Sequence, residues 1–465
     1  MRRRNLFSLA TGMAMLATAC SDGAGPAGPG TAVRGDTIRA DILTDRTLYA
    51  DTTYVISGFV HVANGATLTV QPGTRILGDA DVLGSSLFIM RGAKIYAVGT
   101  ESEPIVFTSS RPAGSRAPGD WGGLIIVGNG VINRSGTVLL EGSGTNQATN
   151  PAINYAGGSN NADDSGELRY VRIEFAGYAT ATDAELNALT LAAVGSGTRI
   201  EYVQTLAGLD DSFEFFGGAV DASHLVSYEA GDDHFDMSEG YQGRLQYLIG
   251  YQTRVLTPRT GAGSVSTDPQ GIENDGCNGA GCAATPHSST PLTTPVVANF
   301  TLVGRGDPGT AFTGGEIGMV LRRGTGGYYV NGVLSRWPGA GISVRDAATQ
   351  QRITDGDMVL SNILVNESPV LFQPGQQAGV DPVTNNLELA SSATLFASVP
   401  TAPTTAASID WSPTPTAPQR AGGLAVFSGR IQAAAGPAVV GTAYRGAAAP
   451  DGPKWWANWT RYAVN

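Results

Sequence analysis

The stretch "GLDDSFEFFGG" (208–218) is written again 22 residues on (230 − 208) as "AGDDHFDMSEG" (230–240), with Asp-Asp, Phe, an acid and a closing Gly coinciding and a Gly just before the acids in each. Short β-rich runs ending in Gly, Asn or Asp surround this pair, among them "LRYVRIEFAG" (168–177), "TRIEYVQTLAG" (198–208), "ASHLVSYEAG" (222–231) and "GRLQYLIGYQ" (243–252). They place Tyr202, Leu225 and Tyr247 in one column. At longer spacing, "VANFTLVG", "VNGVLSRW" and "LSNILVNES" place Phe300, Val333 and Ile363 in another. A fixed period with one small unit per repeat is the mark of a solenoid. The unit is too short for a four-stranded propeller blade and lacks the helical half of a leucine-rich repeat.

An all-β, right-handed parallel β-helix fits best. A coil of this length holds three short strands and three turns at about 3.3 Å per residue, and coils stack about 4.8 Å apart. Gly at 63 of 465 residues supports a turn-rich chain. In "FEFF" the alternation sends Phe213 and Phe215 inward and Glu214 outward, with Phe235 beneath Phe213 and Asp236 beneath Glu214. "QGIENDG" (270–276) continues the series with Ile272 inside and Glu273 outside. The coils are expected over 36–375. The Pro-, Thr- and Ala-rich remainder, 376–465, reads as an irregular wrap. It ends in "PKWWANWTRYAVN", whose Trp455, Trp456 and Trp459 cap the solenoid end, or alternatively form a carbohydrate-stacking patch.

Stacking answers why the acids are written twice. Asp210 over Asp232, Asp211 over Asp233, and Glu214 over Asp236 and Glu273 make one acidic stripe along the axis. Like charges facing each other on adjacent strands destabilise a sheet, so the stripe calls for a counter-charge. Ca²⁺ takes six to eight oxygens at about 2.3–2.6 Å, and carboxylates on adjacent coils can share it. The candidate metal ligands are Asp210, Asp211, Glu214, Asp232, Asp233, Asp236 and Glu273, with Asp275 behind them and Asp163–Asp164 as a looser second candidate. No EF-hand loop or Ca²⁺-binding nonapeptide repeat is present, so stacking alone carries this expectation.

A different class of function is polysaccharide hydrolysis or lysis by Asp232, Asp233 and Asp236, with His234 as an acid or base. An inverting glycosidase needs two carboxylates about 6.5–9.5 Å apart, a span open to neighbouring coils. A third reading has the aspartates cap turn N–H groups while Arg322 and Arg323 balance the charge.

The N-terminus gives the address. "MRRRN" is basic and "LFSLATGMAMLATA" apolar, a secretory signal over 1–19 that is too short for a membrane span. Ala17, Thr18 and Ala19 before Cys20 resemble a bacterial lipobox. That resemblance implies lipidation of Cys20, and Ser21 after it favours the outer membrane. Residues 20–35 form a flexible tether of small residues. Cys277 and Cys282 in a Gly-rich loop are expected to form a local disulfide; a metal site with His287 would be an incomplete tetrahedral set. The formal charge of −11 becomes −14 (−11 − 3) without the three arginines of the signal, which speaks against nucleic-acid binding.

Several words resemble a group of exported bacterial outer-membrane lipoproteins of spirochaete and Bacteroidetes type with a predicted right-handed parallel β-helix. They are "GDWGGLIIVGNG" (119–130), "NNADDSGELRYVRIEFAG" (160–177), "NALTLAAVGSGTRIEYVQ" (187–204), "DDSFEFFGG" and "WWANWTRYA". The resemblance covers the chain from about residue 50 and implies a lipid-anchored surface protein, with no catalytic residues to carry over. "AGDDHFD" also looks like the paired aspartates of polygalacturonases, but that family's Gly-His-Gly and Arg-Ile-Lys elements are missing. Lys94 and Lys454 are the only lysines, so a lyase would need Arg as its base. The expected role is therefore binding or scaffolding through a Ca²⁺-loaded stripe, with a glycan, a cell-surface protein or an outer-membrane transporter as partner.

Overall fold

The computed structural model describes residues 34–463 apart from 147, 286, 307–314, 392 and 402–408. The signal segment, Cys20 and most of the tether lie outside the described residues. The chain winds into a right-handed parallel β-helix built on a 17-stranded and a 9-stranded sheet. Two short antiparallel hairpins and two helices, Ala347–Asp355 and Gly429–Ala435, stand outside the coils. No described helix is long and apolar enough to cross a membrane.

The nine-stranded sheet carries the repeated word. Phe213 pairs with Phe235, Phe235 with Ile272, and Ile272 with Met319, all fully buried in one continuous core. The Phe213 and Phe235 rings lie 5.2 Å apart and nearly parallel. On the opposite face Glu214 pairs with Asp236 and Asp236 with Glu273, the register expected from the alternation.

The larger sheet bends within its strands. Arg199–Leu206, Asp221–Tyr228 and Arg244–Tyr251 each turn a corner at one left-handed residue, Tyr202 (φ 54°), His224 (φ 56°) and Tyr247 (φ 63°). Val203, Leu225 and Leu248 follow the corner and share one buried column. The expected column of Tyr202, Leu225 and Tyr247 is therefore out by one residue at Leu225: the offset is 22 residues from the first strand to the second (Val203 to Leu225) and 23 from the second to the third (Leu225 to Leu248), so Tyr202 aligns with His224. The corner side chains stack instead, with Tyr202 and His224 4.4 Å apart and His224 and Tyr247 4.9 Å apart. Farther along, Asn299, Asn331 and Asn362 hold the same left-handed conformation, which Asn tolerates better than most residues.

The second column is also out by one residue. Thr301 pairs with Val333 and Val333 with Leu364, so Phe300 and Ile363 align with Gly332 rather than Val333. A Cβ on Gly332 would sit 2.1 Å from the Phe300 ring, which occupies that space.

Two expectations about the C-terminal part change. Leu387–Ala390 still pairs in parallel with Ile363–Asn366, so the ladder runs past 375. The Trp-rich segment covers a lateral face, not the solenoid end. Trp456 and Trp459 are buried with Phe175, Leu206, Tyr228 and Tyr251, which rules them out as an open carbohydrate platform. Gln204 fixes the segment by donating to the Arg461 carbonyl and accepting from its N–H, both at 2.7 Å. The solenoid end is closed by Phe372, Val380 and Leu387, which join the main core.

Candidate functional site

The acids lie where the coil enters the nine-stranded sheet. Asp210–Asp211 precede the strand Phe213–Phe216, and Asp232–Asp233 precede Phe235–Ser238. The Asp233 N–H donates to Asp211 Oδ1 at 2.9 Å, and the Asp232 N–H to the Asp210 carbonyl at 3.3 Å, so the two pairs are stacked. Asp233 Oδ1 in turn accepts the Gln270 N–H of the next coil.

Three convergent groups result: Asp210, Asp211 and Asp232; Asp211, Glu214 and Asp236; and Asp233, Asp236 and Glu273. In each, one carboxylate oxygen per residue lies within 4.8 Å of the others. Every metal-ligand candidate of the stripe falls in one of these groups.

The stripe is not a solvated face. Asp211, Glu214, Asp233 and Glu273 are buried, at 7, 5, 3 and 6 % exposure. Over Glu214 and Glu273 lies an excursion, 129–158, inserted between the strands Gly123–Val127 and Gly166–Glu174. It packs Ile132, Val138, Leu140, Ile153 and Tyr155 against Phe88 and Ile125. From it Glu141 reaches Glu214 and Asn187, and Tyr155 donates to Glu239, which also pairs with Arg134. A cleft of about 410 Å³ remains between excursion and stripe, lined by Glu141, Tyr155, Glu214, Asp236, Glu273 and Arg322 among others. Glu141 escapes a sequence reading because it belongs to no repeat and comes close only through the excursion.

Burial dominates the electrostatics. It pushes the carboxyls of Asp210, Asp211, Glu214, Asp232, Asp233 and Asp236 well above the usual range, and their mutual repulsion adds to it. By the same causes Glu141 rises to about 7, and Glu273 to about 8 despite Arg322. The expected balancing arginines reach only one end. Arg322 binds Asp275 at 2.8 Å and also Glu273, and Arg323 binds Asp275. Among the described residues no ion pair reaches Asp210, Asp211, Glu214, Asp232, Asp233 or Asp236. Oδ1 of Asp232 and Oδ1 of Asp236 are buried with no hydrogen-bond partner.

His234 does not join this group. Its Nδ1 lies 2.5 Å from Ser227 Oγ, which donates to Ser212 Oγ, and its ring meets the edge of Trp337. Burial lowers its pKa to about 3, so the imidazole is neutral; it lines a pocket with Asp232 and Trp337. Asp163 and Asp164 also stand apart: Asp164 pairs with Lys94 at 2.5 Å, and Asp163 accepts the Asn129 N–H at 3.0 Å. Cys277 and Cys282 form the expected disulfide, which removes the thiolates that a metal site with His287 would need.

The arrangement suits a hard cation. Close oxygens from successive coils, each destabilised by its neighbours, offer the carboxylate-rich set that Ca²⁺ takes.

Searches of curated proteins and of solved structures each gave no match. The family described as a pectate-lyase like beta helix domain matches residues 40–411. That span holds the coils and the whole acidic stripe, and the chain belongs to this pectate-lyase-like β-helix family.

Proposed function

We propose that this protein is a lipid-anchored β-helix of the outer membrane that binds Ca²⁺ in its acidic stripe and serves a binding or scaffolding role. One observation carries the cation reading: buried and half-buried carboxylates converge in three adjoining groups and, among the described residues, no arginine pairs with the acids at the Asp210 end. A divalent ion supplies the missing charge and gives the unpartnered oxygens of Asp232 and Asp236 a ligand. The ion would stiffen the stacked coils and present a charged floor to a partner in the cleft, whether a glycan, a cell-surface protein or an outer-membrane transporter. The anchor rests on the sequence around Cys20.

Calorimetric titration of the mature chain with Ca²⁺ tests the site. Saturable binding that is lost in Asp232→Asn supports it, and absence of heat in chelator-stripped protein refutes it. Incorporation of labelled fatty acid that disappears in Cys20→Ala tests the anchor.

The second reading, a polysaccharide-active enzyme, is favoured by the family and by an open cleft above the acids. Of the acids that reading names, Asp236 lines this cleft beside Glu214 and Glu273, while Asp232 lines a separate pocket with His234. Release of reducing ends or unsaturated products from acidic glycans, abolished by Asp236→Asn, would establish it in place of the scaffolding role.

A further inference from the structure

We propose that the disulfide-closed loop Cys277–Cys282 is a redox-sensitive latch that holds the wall of the acidic cleft in place. Its functional consequence rests on the cation reading; its structural core does not.

The loop begins where the stripe ends. The strand Gln270–Asp275 carries Glu273 and Asp275, and Gly276 leads directly into Cys277. From there successive carbonyls grip three consecutive residues of the excursion. The Gly276 carbonyl accepts Asn133 Nδ2 at 3.2 Å, the Ala280 carbonyl accepts Arg134 Nε at 2.8 Å, and the Gly281 carbonyl accepts the Ser135 N–H at 2.8 Å. Arg134 and Asn133 are held from the other side by Glu239, through an ion pair and through a 2.9 Å bond from the Asn133 N–H to the Glu239 carbonyl. The segment 133–135 is thus clamped between coil and loop. Ile132 and Val138 bracket it with apolar packing, but 134–137 contribute nothing to that cluster.

Without its cross-link the loop has little to keep its shape. Asn278, Gly279 and Ala280 are exposed, and Gly279 and Gly281 adopt positive φ, so the chain there is short of packing and conformationally free. A cross-link removes that freedom from the open state. Cys282 is half-buried while Cys277 is buried, so attack is assigned to the Cys282 side of the bond.

A dithiol reductant supplies the chemistry. Its thiolate attacks Cys282 Sγ, the S–S bond breaks and Cys277 leaves as a thiolate; the second thiol then closes the reagent's own disulfide. Two electrons and two protons pass to the protein, giving two thiols. The carbonyls of Ala280 and Gly281 then lose their fixed positions, and 133–135 are released from one side.

Hydrogen exchange on the full chain tests this, oxidised, dithiol-reduced, and as the Cys277→Ser/Cys282→Ser variant, all in chelator. The expected result is exchange at Ser135 and its neighbours at least about tenfold faster after reduction and in the variant, with Arg199–Leu206 and Asp221–Tyr228 unchanged. Equal exchange at 133–135 in all three forms overturns the proposal. A parallel Ca²⁺ titration separates the two ideas: weaker binding in the reduced form extends the latch to the cation site. Absence of binding in both forms overturns the cation reading, while the exchange result still decides the latch.

Discussion

Phe235 lies directly beneath Phe213, and the residue that follows each, Asp236 and Glu214, is thereby brought face to face on the outer surface of the same sheet. The apolar ladder fixes the register of the coils, and the register brings the carboxylates together. Stability of the core is therefore the source of the electrostatic strain in the stripe.

The ladder is expected to bear a large share of local stability. Phe235→Ala removes a fully buried ring from the stack and should cost about 3–5 kcal/mol, read from the shift of the urea midpoint. A loss below about 1 kcal/mol would mean that the stack does not hold the coils.

Replacing a stripe acid separates repulsion from ligation. Asp236→Asn keeps the shape and removes one charge. The variant's melting temperature in chelator should equal or exceed that of the parent, while its response to Ca²⁺ falls. A carboxylate that merely caps a turn would instead show lower stability in chelator.

Acidity acts in a set direction. Glu273 and Glu141 are raised to about 8 and about 7, so the folded chain binds more protons than the unfolded one above the ordinary carboxylate range. Their contribution is fully present below the unfolded pKa of about 4.3 and is lost as pH rises through the folded values, so the metal-free protein should be more stable at pH 5 than at pH 8. Ca²⁺ affinity should run the other way, rising across the same interval as the ligands lose protons. Chelated melts and Ca²⁺ titrations at both pH values check the two signs together.

His234 should be a bystander to the cation. His234→Gln is expected to lower stability through its lost contacts with Ser227 and Trp337, yet to leave Ca²⁺ affinity within about twofold. A tenfold loss of affinity in a folded variant would return the imidazole to the site.

Much of this was legible in the sequence because a solenoid repeats its instructions. The offset between the two acid-bearing words is the register of Phe213 on Phe235, and the alternation within "FEFF" gave the outward face of Glu214. The corner residues were harder. A single left-handed residue in mid-strand leaves no turn signature when it is Tyr202 or His224, and the column drawn through Leu225 slipped by one. The covering of Glu214 and Glu273 was also out of reach, since it depends on the excursion that brings in Glu141 and Tyr155. His234 looked like a partner of its neighbouring aspartates, but strand geometry turned it toward Ser227. The tryptophans were rightly read as covering residues and wrongly placed at the end, because nothing local in "WWANWTRYA" specifies Gln204 as its anchor.

The most direct test of the account is the thermal melt of the mature chain, oxidised and at neutral pH, first stripped with chelator and then with Ca²⁺ in excess. Ligand bound only by the folded state at a hundred times its dissociation constant stabilises by about 2.7 kcal/mol, so a rise of several degrees that Asp232→Asn abolishes is the predicted result. An identical melt in chelator and in Ca²⁺ would contradict the account and leave the stripe without a structural cation.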